Sequence, residues 1–169
     1  MPVDVQRVRR ADAAELIAAN RDSAAYHAPW ITSFTDQAGF DPWFARGITG
    51  ANVSLVARER PSGALVGVVN LNEIVLGAFR SAYLSYWGYV GFGGRGLMTE
   101  ALREAVRYAF EEIGLHRVEA SIQPANTRSI ALVRRAGFSK EGFSPKLLFI
   151  DGVWRDHEHW ALLADAPSS

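Results

Sequence analysis

Cysteine is absent from the 169 residues. Disulfides, thiolate zinc sites and a cysteine nucleophile are therefore excluded. No charge predominates: 18 basic residues stand against 18 acidic ones. The chain thus has no global field to draw it to nucleic acid or an anionic membrane, and neither is expected as a partner. No apolar run approaches the roughly 18 residues needed to cross a bilayer. Met1–Gln6 has no basic region followed by an apolar core, so no signal peptide is expected and the expected location is cytoplasmic. A Gly-x-Ser-x-Gly elbow is missing. His27, His116 and His159 have no metal-ligand spacing, and no metal is expected. Repeats and low-complexity tracts are also missing. What remains is 49% hydrophobic and 21% charged, the make-up of one globular domain over residues 1–169. Residues 165–169 are expected to fray.

Alternation marks Val3–Arg9 as a strand. Asp12 is placed to cap a helix over Ala13–Asn20. Tyr26–Phe44 is rich in aromatics, and Asp41-Pro42 predicts a short helix starting there, since proline suits a first helical position. Asn52–Arg58 and Ala64–Leu71 read as strands joined through Pro61-Ser62-Gly63. Ala82–Tyr89 is a further strand. Gly96–Ile113 is a helix with Leu97, Ala101, Ala105 and Ala109 on one stripe, ended by Gly114. Arg117–Ile122 is a strand and Asn126–Ala136 a helix stopped by Gly137. Phe138–Ile150 and Val153–Leu163 form a hairpin around Asp151-Gly152. This order predicts a mixed α/β (α+β) fold with a sheet of about seven strands and helices on its faces.

Gly91-Phe92-Gly93-Gly94-Arg95-Gly96 lies between a strand and a helix. Glycines let a backbone approach phosphate closely. The helix start adds free N–H groups and a favourable dipole. A P-loop is excluded, because Gly96 is followed by Leu97-Met98-Thr99 in place of Lys-Ser/Thr. Gly91, Gly93 and Gly96 also satisfy Gly-x-Gly-x-x-Gly. A Rossmann site wants an acid about 20 residues on, at a strand end, and Glu119 lies in mid-strand. The loop on its own leaves CoA and dinucleotide ligands both open.

Gly94-Arg95-Gly96-Leu97-Met98-Thr99-Glu100-Ala101 resembles the pyrophosphate loop of the GNAT superfamily of N-acetyltransferases, in particular the ribosomal-protein-alanine N-acetyltransferases. Further stretches agree. Asn72–Phe79 with Ser81–Trp87 is similar to that family's central strands. Pro124–Ser129, ending in Ala136-Gly137-Phe138, is similar to its second cofactor helix. Asp151–His157 resembles its closing hairpin, and Pro29-Trp30 its early Pro-Trp element. Two positions depart from the superfamily pattern Gln/Arg-x-x-Gly-x-Gly/Ala: Gly93 stands at the Gln/Arg position and Met98 at the final small one.

The resemblance implies a mostly antiparallel twisted sheet splayed between strands 4 and 5, with acetyl-CoA as cosubstrate in the opening. It implies that the backbone of Tyr86-Trp87-Gly88 meets the pantetheine, that Gly93, Gly94, Arg95, Gly96, Leu97, Met98 and Thr99 hold the pyrophosphate, and that Asn126 bonds the pantetheine. Ser129 becomes the candidate for protonating the departing thiolate. Arg128, Arg134 and Arg135 become candidates for the 3′-phosphate. Glu73 is the first candidate for general base and His157 the second. Trp30, Glu73 and Tyr86 are placed at the acceptor, with Trp43 and Phe44 either nearby or in the core. With no cysteine for an acyl-enzyme, the amine attacks directly in a ternary complex. The acceptor is the N-terminal amine of a protein or, alternatively, a small amine such as an aminoglycoside, polyamine or amino-acid derivative. A non-catalytic CoA- or dinucleotide-binding module is the third reading. A monomer and a homodimer are both compatible with the sequence.

Overall fold

The computed structural model describes residues 2–92 and 95–165. Seven strands form one sheet in the order β1-β2-β3-β4-β5-β7-β6. They are β1 (Val3–Arg7), β2 (Val53–Glu59), β3 (Leu65–Val75), β4 (Ser81–Gly88), β5 (Arg117–Ile122), β6 (Ser139–Ile150) and β7 (Val153–Leu163). Every neighbouring pair is antiparallel except β4 and β5. These two pair only from Ser81–Arg117 to Leu84–Ala120. Beyond Leu84, β4 continues to Gly88 without β5 beside it. That divergence is the expected splay.

Helices α4 (Leu97–Tyr108) and α5 (Thr127–Arg135) cover one face. There Leu102, Ala105 and Val133 pack against Val53, Leu55, Val69 and Val118. Helices α1 (Ala13–Asp22) and α3 (Gln37–Gly47) cover the other, where Leu16, Phe40 and Phe44 meet Val56, Val68 and Trp87. Adjacent residues such as Leu55 and Val56 serve opposite cores, as a twofold strand period requires. A four-residue helix, α2 (Ala24–His27), extends α1 toward the splay.

Several local expectations shift. The aromatic segment's helix begins at Gln37, not after Asp41. Asp36 caps it by accepting from Gly39 N–H at 2.8 Å, and Pro42 lies inside the helix. An Asp cap at the right spacing outranks the proline signal. Asp12 accepts from Arg9 N–H at 2.7 Å and so closes a 3-10 turn ahead of α1 instead of capping α1 itself. The α4 stripe is buried, but α4 ends at Tyr108 and Ala109–Ile113 widens into a π turn before Gly114. The expected frayed tail lies almost wholly outside the described residues.

Candidate active site

The open edge of β4 borders a cavity of about 700 Å³ whose lining includes Tyr86, Gly88, Gly96, Thr99, Asn126 and Ser129. Tyr89 N–H donates to Val66 carbonyl on β3 at 3.0 Å. Backbone groups alternate sides along a strand. Those of Gly88 and Tyr86 therefore face the side that β5 has left. Gly96 sits at the end of the cavity with φ +73°, a conformation open to glycine at little cost. It turns the chain into α4, whose first N–H groups at Leu97, Met98 and Thr99 have no partner within the helix. Together these form a strand edge and a helix N-terminus converging on one cleft. Gly93 and Gly94 lie outside the described residues.

A second cavity of about 570 Å³ lies on the other side of Tyr86 and Ser129. Five residues line both: Trp30, Ile31, Tyr86, Asn126 and Ser129. At the junction the Tyr86 and Ser129 hydroxyls are 2.5 Å apart. Burial pushes the Tyr86 phenol up to about 12, with the Ser129 contact working weakly the other way. The phenol thus stays protonated at neutral pH. Asn126 caps α5 by accepting from Ser129 N–H at 3.3 Å through its Oδ1. Its amide nitrogen has no protein partner among the described residues.

Glu73 and His157 both line the second cavity. Glu73 lies within β3, not in a loop after it. Between Asn72–Tyr83 and Val75–Ser81, β3 carries one residue more than β4. This bulge puts Glu73 at φ +52°, and its N–H is held by Asn52 Oδ1 at 2.9 Å. Bulges re-aim side chains, and a non-glycine residue at positive φ is a strained one. Its side chain is exposed. His157, by contrast, is 2% exposed and its Nδ1 meets the Arg155 carbonyl at 2.9 Å. A carbonyl only accepts, so Nδ1 carries the hydrogen and Nε2 is the basic atom of the neutral ring.

The remaining candidates separate. Trp30 lies in the cleft. Trp43 and Phe44 pack with Phe40 and Phe34 in the opposite-face core, and Trp43 Nε1 donates to Asn70. Trp87 turns its indole to that same core, where Nε1 donates to Asn20 at 3.1 Å. Arg128 and Arg135 line the first cavity. Arg134 instead lies over the Trp160 ring at 5.3 Å. The Arg95 guanidinium pairs with Glu59 at 2.6 Å, and Arg95 is not among the residues that line either cavity. Sequence reasoning missed Tyr26, His27 and Phe92, which also line the first cavity. Arg128 stacks on Tyr26 at 4.6 Å, so α5 and α2 touch beside it. Among the described residues no group of acidic, histidine or cysteine side chains is arranged to hold a metal, and no helix is long and apolar enough to cross a membrane.

Known proteins are similar to this chain. The chain is 44% identical to a probable N-acetyltransferase, YjcK, of Bacillus subtilis over 59% of its own length and 55% of that protein's. It is also 44% identical to the [ribosomal protein uS5]-alanine N-acetyltransferase of Escherichia coli, over 58% of its length and 50% of that protein's. The matched chain thus spans about half the length of these curated relatives. A solved structure of Mycobacterium smegmatis RimJ in complex with CoA-disulfide superposes with a TM-score of 0.88 at 29% identity, covering 99% of this chain and 85% of that one. The model of the acetyltransferase (GNAT) domain matches residues 3–139. With the splayed sheet and converging cleft behind that match, the chain belongs to the acetyltransferase (GNAT) domain family.

Proposed function

We propose that the protein transfers an acetyl group from acetyl-CoA to a primary amine, and that the amine is the N-terminal α-amine of a protein. One observation carries the reading: two cavities of unlike lining meet at the Tyr86–Ser129 hydroxyl pair. The first suits the donor, with an open strand edge and a helix N-terminus for its amides and phosphates. Acetyl-CoA supplies an activated acetyl thioester. The second suits the acceptor.

On the acceptor side, Glu73 carries the charge that draws in an ammonium. His157 Nε2 takes its proton, since His157 is held in the tautomer that leaves this atom as acceptor. On the donor side, Ser129 Oγ gives a proton to the departing sulfur, Tyr86 Oη replenishes it across their 2.5 Å contact, and Tyr86 is restored by the second proton that the amine nitrogen sheds on becoming an amide. Tyr86 N–H, on the open strand edge at the junction of the two cavities, is placed for oxyanion-type stabilisation. An α-amine suits a modest base, because its pKa is about 7.7–8.0 against about 10.4 for lysine. Among the described residues Glu73 is the one carboxylate lining the second cavity, alongside Leu147, Leu148 and Ile150. Such a lining favours an amine on an apolar body over a polycation. The two relatives' names, N-acetyltransferase and ribosomal-protein-alanine N-acetyltransferase, support the same reading.

Thiol release from acetyl-CoA tests it, with alanine- and serine-started peptides run beside spermidine and an aminoglycoside. Peptides are expected to give the highest kcat/KM. Turnover confined to the small amines would overturn the acceptor assignment, and no release with any amine would overturn the activity.

A further inference from the structure

Three buried polar residues precede the cleft at intervals of three and four: Asn20, Ser23 and His27. Such spacing places side chains on one side of a helical segment. Each grips the stretch where β4 leaves the sheet. Asn20 Oδ1 accepts from Trp87 Nε1 at 3.1 Å and from the Tyr89 hydroxyl at 2.8 Å. His27 Nε2 meets the Gly88 carbonyl at 2.8 Å. Ser23 Oγ accepts from Val90 N–H at 3.1 Å. Four consecutive residues, Trp87 to Val90, are thus held by three side chains. Asn20 is itself anchored by donating to the Phe34 carbonyl at 2.8 Å.

Chemistry fixes the His27 proton. A carbonyl only accepts, so Nε2 carries the hydrogen. Nδ1 is then the acceptor for the Ser33 hydroxyl, 3.2 Å away. Burial lowers the His27 pKa, which keeps the ring neutral. The open edge of β4 has four backbone groups beyond Leu84: N–H and carbonyl of Tyr86, N–H and carbonyl of Gly88. His27 occupies the last of them. At the end toward Gly96, the edge therefore offers a donor without a competing acceptor.

We propose that His27, oriented by Ser33, is a positioning residue: by filling the Gly88 carbonyl it sets the β4 edge to receive the pantetheine arm of CoA through Gly88 N–H. This rests on the acetyl-CoA reading above. Without His27 the carbonyl would be left unpaired or hydrated at the cleft wall, and the strand end would lose its middle tether. The phosphates, met farther along at Gly96 and the start of α4, do not depend on that tether.

Calorimetry with two ligands separates this role from a general structural one. CoA carries the pantetheine; 3′-phosphoadenosine 5′-diphosphate carries the phosphates without it. His27→Ala is expected to weaken CoA roughly tenfold, the scale of one buried hydrogen bond, and to leave the nucleotide within about twofold. His27→Gln, whose amide can donate to the same carbonyl, is expected to restore most of the loss. Ser33→Ala, which keeps the ring but removes the hydrogen bond that orients it, is expected to give a smaller loss of CoA alone, and it decides the matter should His27→Ala not fold. Equal weakening of both ligands, or unchanged CoA affinity, would overturn the proposal. Wild-type protein that binds neither ligand would overturn the acetyl-CoA reading and this proposal together. Wild-type protein that binds CoA yet releases no thiol would overturn only the transfer reading, and the ligand comparison would still decide the role of His27.

Discussion

His157 and Glu73 reach the same cavity from strands on either side of the β4–β5 opening, and they differ in what surrounds them. His157 is buried with one nitrogen committed; Glu73 is exposed on a strained bulge. A proton acceptor needs a fixed lone pair, while an electrostatic attractor needs only its charge. His157→Gln is therefore expected to lower kcat about 10²-fold at pH 7. The defect shrinks toward pH 9, where an α-amine of pKa about 8 is already neutral. Glu73→Gln is expected to raise the acceptor KM with kcat nearly unchanged. Steady-state kinetics on an alanine-started peptide from pH 6 to 9 check both, and the reverse pattern would exchange the two roles. Both residues were legible in the sequence as candidates, but the burial and the hydrogen bond that distinguish them were not, because both are set by neighbours. His27 was less legible still. Its partner is a carbonyl 61 residues away, and no side-chain spacing records a backbone acceptor.

At the scale of elements, the strand edge depends on how closely β3 approaches β4. A Cβ on Gly67 would lie 2.6 Å from the Trp87 carbonyl oxygen and 2.8 Å from Met98 Sδ. The methionine can move; the carbonyl is bound into the ladder. Gly67→Ala is expected to cost about 1–3 kcal/mol, as overpacking does, and to lower the CoA affinity along with Tm. Gly142→Ala in β6 is the control, since its Cβ would meet only His159 at an ordinary 3.9 Å. Thermal denaturation of the two variants checks this, and equal Tm values would show that β3 yields. Most elements were legible because they announce themselves locally. The Arg117–Ile122 strand coincides with β5, and the hairpin turns at Asp151-Gly152 as its dipeptide requires. The bulge at Glu73 was not legible, since it is defined by register against β4 and a single strand's alternation carries no register. The same holds for β6, which carries two extra residues between Ser144–His157 and Leu148–Arg155, beside the Leu147 and Leu148 that line the second cavity.

For the whole molecule, the cleft lies on the one parallel seam of the sheet, where only four residue pairs join β4 to β5. A ligand there touches both sides: β4 through its backbone edge and α5 through Asn126 and Ser129. Ligand binding to the native state alone adds about 2.7 kcal/mol at a hundredfold excess over Kd. For a chain of this size that corresponds to a rise in Tm of roughly 5–11 °C. Thermal scans with CoA across a concentration series check the prediction, and a Tm indifferent to millimolar CoA would contradict it. The splay itself came from the resemblance. The residues gave strands and helices in order, while the place where two strands part depends on side chains packed between them.

The seam also orders events at the ribosome. β1 to β4, with α1 to α3, are complete once Gly88 has been synthesised, and synthesis proceeds from the N-terminus. Until Arg117–Ile122 emerges, β4 has β3 on one side and nothing on the other. A nascent chain in that interval presents an unpaired strand edge, the surface most apt to pair with another chain. The later arrival of β5 covers only Ser81–Leu84. The remainder of that edge gains no strand beside it, its last carbonyl at Gly88 being held by His27 alone, and a hazard of the unfinished chain persists as the cleft of the folded one.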